Sequence, residues 1–114
     1  MNETLAIEIA PFALGEGVTE EALLQASERL EREFLSTRDG YIGRILMRAA
    51  DGSFADLLFW RSASDFEKAL EHAHASGACA QYFSCMAANA QAGEGISIFR
   101  AIRQYGVVAS LKPL

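Results

Sequence analysis

Apolar residues recur along the chain with two different periods, and the changes of period divide it into six elements. Over residues 5–12 they alternate, with Leu5, Ile7 and Ile9 on one parity and Ala6, Glu8, Ala10 and Phe12 on the other, as a strand requires. Pro11 confines the end of that strand to an edge or a bulge. After "GEG", Thr19 stands where an N-cap belongs, and Glu20 and Glu21 fill the first turn, where a helix dipole favours negative charge. Leu23, Ala26, Leu30 and Phe34 follow at spacings of three and four, the stripe of an amphipathic helix. Asp39 and Gly40 end it. Residues 41–49 and 53–60 then read as two strands joined at "DG" by a tight hairpin turn.

Ser64 and Glu67 have capping-box spacing and open a second helix. On its wheel Phe66, Ala69, Leu70, Ala73 and Gly77 share one face, His74 flanks that face and His72 points away. Gly77 is placed to break the helix. Cys79, Tyr82, Phe83, Met86 and Ala90 mark a further amphipathic segment, a second "GEG" closes it, and residues 96–103 form the last strand.

The order strand, helix, strand, strand, helix, strand predicts an α+β, ferredoxin-like βαββαβ sandwich: one four-stranded antiparallel sheet with its helices on one face. Residues 1–114 make a single domain with a tail at 105–114. Both parities of most strands are apolar; Ala55, Leu57 and Phe59 oppose Phe54, Leu58 and Trp60. The uncovered sheet face must therefore be hidden. A second copy related by a two-fold axis is the economical cover, which predicts a homodimer, and the tail can cross to the partner.

Composition fits this reading. About half the residues are apolar and about a fifth charged, near the average for folded soluble domains. The net charge is -5 with scattered arginines, which disfavours nucleic acid as a partner. The N-terminal stretch lacks a basic region before its apolar run, and no apolar run approaches ~18 residues, so neither a signal peptide nor a membrane span is expected. The expected location is the cytoplasm. Cys79 and Cys85 lie about 240° apart on a helix and lack zinc or CxxC spacing, so they are expected as reduced packing residues.

The strand-to-helix junction "WRSASDF", Trp60 to Phe66, resembles that of the dimeric α/β-barrel superfamily, and within it the antibiotic-biosynthesis-monooxygenase-like domains. The topological resemblance covers residues 5–104. It implies a sheet-to-sheet dimer and a substrate held between sheet and helices. Members that oxidise polycyclic phenols use neither metal nor flavin, so no cofactor is expected. Their Trp is retained as Trp60; their Asn, four residues earlier, is Asp56 here, and their Tyr, six residues later, is Phe66. Asp56 and Trp60 share a strand face, but an ionised Asp only accepts hydrogen bonds where Asn also donates. A haem-degrading branch looks similar in the same region, yet its Asn, Trp and His fall on Ala10, Ala69 and about Cys79. His72 or His74 could replace that ligand only if the helix shifted.

Each candidate has a structural reading beside the functional one. Trp60 suits a core aromatic or a pocket wall. Asp56 suits an ion pair with Arg44 or Arg48, or a general base. His74 suits half-buried packing or acid–base work near neutral pH; Tyr82 suits core packing or a hydroxyl offered to a ligand. The expectation is a small-molecule-binding protein, a cofactor-independent monooxygenase-like enzyme for an aromatic or quinone-type compound. Asp56 and His74 are its candidate catalytic residues, and Trp60, Phe66 and Tyr82 its substrate contacts. The alternative is a non-catalytic dimeric binding or sensing module. An open cleft at Asp56 and Trp60 would favour the first, a cleft filled by Phe66, Tyr82 and Phe83 the second. No nucleophile with an adjacent base, phosphate loop or metal-spaced ligand set stands out.

Overall fold

The computed structural model describes residues 4–88 and 95–111. Four strands, β1 (Ala6–Phe12), β2 (Tyr41–Arg48), β3 (Phe54–Trp60) and β4 (Ser97–Arg100), form one antiparallel sheet in the order β2-β3-β1-β4. Three helices, α1 (Glu20–Glu33), α2 (Ala63–Ala73) and α3 (Gly77–Ser84), complete the ferredoxin-like α+β fold. None of the helices among the described residues is long and apolar enough to cross a membrane.

Local chemistry fixes the element ends. The Thr19 hydroxyl accepts from the Ala22 amide at 3.1 Å, and Leu23, Ala26 and Leu30 of α1 are buried as the stripe requires. Gly52 turns the β2–β3 hairpin with φ +89°, a conformation that glycine adopts freely. Gly40 is more constrained: φ is +78°, and a Cβ there would lie 2.4 Å from the Asp65 carboxyl carbon. That approach lets the Gly40 carbonyl accept from the Arg61 amide at 2.7 Å, tying the start of β2 to the junction before α2.

Three expectations are corrected. The α2 cap is Ser62, two residues before Ser64; its hydroxyl accepts from the Asp65 amide at 3.2 Å and donates to Asp65 Oδ2 at 2.9 Å. Asp65 serves better than Glu67 because Arg61 also grips it, through Nε at 2.7 Å and Nη2 at 2.8 Å. The break between α2 and α3 comes at His74 and Ala75, with Ser76 capping α3 and Gly77 inside it. The last strand spans four residues rather than eight, because its pairing with β1 ends at Arg100. Ala90, Gly93 and Glu94, and tail residues 112–114, lie outside the described residues.

The register sorts side chains between two unlike faces. Ala6, Glu8, Ala10 and Phe12 lie opposite Trp60, Leu58, Asp56 and Phe54, and this parity packs under the helices. The other parity carries Ile7, Ile9, Ile45, Leu57, Phe59 and Phe99, with Ile45 and Phe99 about half exposed. That face is apolar, and among the described residues none of these six side chains is buried.

Candidate active site

The parity under the helices holds two acids, Glu8 on β1 and Asp56 on β3, and both are buried, at 8% and 4% exposure. Ala10 sits across from Asp56, and Ala69 and Ala73 face inward from α2. These small side chains leave a space between sheet and helices. Atoms leave about 720 Å³ empty there with the open mouth counted, and the centre of a water molecule can move through about 90 Å³ of it. Leu58, Trp60, Phe66, Cys79, Tyr82 and Phe83 contribute to a wall that is mostly apolar, with Glu8 and Asp56 as its acids.

The two carboxyls differ in what they have left to do. Tyr82 donates to Asp56 Oδ2 at 2.5 Å. Asp56 Oδ1 lies 3.6 Å from Arg44 Nε and is sealed from water without a hydrogen bond. Arg44 in turn reaches the Ser27 hydroxyl on α1 through Nη2 and stacks 5.4 Å over the Tyr82 ring. Burial raises the Asp56 carboxyl above its ordinary range, while Arg44 and the Tyr82 hydrogen bond pull it down. Burial and the facing Asp56 charge push the Tyr82 phenol far up, so it holds its proton. The set ties β2, β3, α1 and α3 together, and its geometry is that of a buried ion pair.

Glu8 is less committed. Its Oε1 accepts from the Trp60 indole N–H at 3.0 Å. Its Oε2 has no hydrogen-bond partner among the described residues and is not sealed from water-sized space. Burial raises its pKa from 4.5 to about 7; the Trp60 hydrogen bond opposes that rise, Asp56 adds to it and Arg44 reduces it. A carboxyl so placed exchanges a proton near neutrality.

Four of the five candidate site residues meet at this cavity: Asp56, Trp60, Phe66 and Tyr82. The rings of Phe66 and Trp60 meet edge to face, 6.3 Å between centroids. His74 is not brought there. α2 ends at Ala73, and His74 is its exposed C-cap, turned out with the chain that leaves the helix. Arg48, the other partner weighed for Asp56, pairs instead with Glu20 at the surface, 3.6 Å away. Glu8 was not among the sequence candidates. Its signal was present, since the opposite parity, Ile7 and Ile9, suits a uniformly apolar open face and leaves Glu8 to the helix side.

Among the described residues, no three His, Cys, Asp or Glu side chains cluster as a metal site. No protein-family model matches the chain, and no curated protein matches it. Solved structures do. SnoaB from Streptomyces nogalater, a cofactor-independent oxygenase, superposes with TM-score 0.70 at 15% identity, over 90% of this chain and 96% of that one. A presumed antibiotic biosynthesis monooxygenase from Nitrosomonas europaea gives 0.62 at 14%, over 93% and 98%. A conserved protein from Methanosarcina mazei Go1 gives 0.63 at 13%, over 85% and 92%. At these identities the likeness carries the fold: the chain has the ferredoxin-like architecture of the antibiotic-biosynthesis-monooxygenase-like proteins.

Proposed function

We propose that the chain is a cofactor-independent, monooxygenase-like enzyme that binds a small apolar ring compound bearing an ionisable hydroxyl, of phenol or quinone type, and that Glu8 takes its proton. The observation that carries this reading is the Glu8 carboxyl, clamped by Trp60 at 3.0 Å on an apolar cavity wall, with a pKa of about 7. Asp56 is held by the Arg44 charge and the Tyr82 hydrogen bond, and its Oδ1 is sealed from water, so proton transfer falls to Glu8 rather than Asp56. Trp60 and Phe66 offer ring edges to an aromatic guest. A phenolate gives up electrons more readily than its phenol, and dioxygen would serve as both oxidant and oxygen source. One oxygen atom enters at a ring carbon and the other leaves as water, with one hydrogen lost from that carbon and one from the hydroxyl, so that phenol and dioxygen give quinone and water. The cofactor-independent oxygenase that shares the fold supports the reading by analogy. The cavity is not filled by Phe66, Tyr82 and Phe83, which speaks against the non-catalytic module.

The same reading includes a homodimer. The open face with Ile45 and Phe99 half exposed is apolar along every strand, and a second copy of that sheet is the complementary surface it fits.

The test is a panel of polycyclic phenols incubated with the protein in air, followed by oxygen uptake and product absorbance. Wild type is expected to turn one over, and Glu8→Gln to lose about a hundredfold or more in rate while still binding it. Equal rates in the two proteins, or binding without turnover across the panel, would overturn the proposal.

A further inference from the structure

We propose, building on the reading of the cavity as a ligand site, that it takes the hydroxyl-bearing form of its ligand and rejects the carbonyl form, with Glu8 Oε2 as the group that discriminates. The side-chain N–H and O–H donors of Trp60 and Tyr82 on the cavity wall are already used inside the protein. The Trp60 indole donates to Glu8 Oε1 at 3.0 Å and the Tyr82 hydroxyl to Asp56 Oδ2 at 2.5 Å. Arg44 is turned to Ser27 and Asp56, and its Nη1, buried without an acceptor, is not part of the cavity lining. Oε2 of Glu8 has no hydrogen-bond partner among the described residues, on a wall that is otherwise mostly apolar.

An ionised carboxylate oxygen only accepts. A ligand hydroxyl set against it donates a charge-assisted hydrogen bond. A ligand carbonyl in the same place sets acceptor against acceptor away from water, and unpaired buried acceptors are what a polar site uses to reject an analogue. The cavity is therefore selective for the oxidation state of its guest.

The selectivity depends on the Glu8 proton. The charged and titratable groups facing it are Asp56 from β3, Arg44 from β2, and Tyr82 and Cys79 from α3. From α1, α2 and β4 the facing residues are apolar: Leu30, Phe34, Phe66, Ala69 and Ile98. Their net effect places the Glu8 pKa at about 7. Below that pH the carboxyl carries a hydrogen and can hold a carbonyl; above it, that hold is lost. In a catalytic cycle Glu8 would take the substrate's proton, keep the carbonyl product while protonated, and release it on losing the proton to solvent.

Calorimetric titration under argon with naphthol and tetralone, similar in size and opposite in hydrogen-bonding sense, reads this directly. From about one unit below pH 7 to about two units above, naphthol affinity is expected to hold within about threefold, while tetralone affinity falls about a hundredfold, about tenfold per unit above the Glu8 pKa. In Glu8→Gln, whose amide both donates and accepts, both affinities should be flat with pH. Tetralone binding that stays flat in wild type, a fall that persists in Glu8→Gln, or no heat from either ligand would overturn the proposal. Selectivity without turnover in air would sink the catalytic reading alone, and turnover without selectivity would sink this one alone.

Discussion

A carboxyl buried at the cavity should weaken the fold as it ionises, and Glu8→Gln measures by how much. In the folded chain its pKa rises from the ordinary 4.5 to about 7. The native state therefore holds the proton more tightly than the unfolded chain, and stability falls as pH rises between those two values. At about 1.4 kcal/mol per pH unit, the rise corresponds to about 3 kcal/mol, fully expressed above pH 7 and absent below 4.5. Gln keeps an oxygen to accept from Trp60 and has nothing to ionise. Urea unfolding at fixed protein concentration, from about pH 5 to about pH 8, should show wild type losing about 2.5 kcal/mol more than Glu8→Gln, since part of the effect is already expressed at pH 5. Asp56, raised as well, adds a slope of the same sign to both proteins, so the difference isolates Glu8. Asp51, Asp65 and Glu33, all lowered, lose their contributions only below this window. Parallel curves for the two proteins would refute the placement of Glu8 in a dry wall.

Asp56→Asn should destabilise by about 3–5 kcal/mol, because it strands the Arg44 guanidinium without its charge partner. Pairing Asp56→Leu with Arg44→Met should cost far less, and a single Asn variant within about 1 kcal/mol of wild type would contradict the buried pair. Sedimentation at micromolar protein should give two chain masses for wild type and one for Phe99→Glu, whose charge sits on the open face. A single-chain mass for wild type would remove the proposed twin.

Most of the fold was legible because its signals are local. The Leu23, Ala26 and Leu30 stripe, the Thr19 cap and the "DG" hairpin each lie within a few residues of what they specify. The cap at Ser62 was missed because the choice between two serines rests on Arg61 reaching Asp65 and on the close approach of Gly40, contacts that the spacing alone does not rank. The lining of the candidate cavity was legible in part. Asp56, Trp60, Phe66 and Tyr82 were found through one strand-helix junction and one helix face, but Glu8 joins them through the β1–β3 register, which sets side by side residues about fifty positions apart. His74 lies away from the cavity for the opposite reason: a wheel assumes the helix continues, and this one stops a residue earlier.

α2 is fastened unequally along its length. Its first turn is locked by Arg61, Ser62 and Asp65 under Gly40. Past Ala69 its inward residues are only half buried or, at Leu70, exposed, and the chain leaves through surface residues 74 and 75. Such a wall behaves as a door with one sound jamb. Opening at residues 70–73 would leave the β1–β3 ladder and the Asp56–Tyr82 bond intact, so local loosening of this wall is expected to begin there.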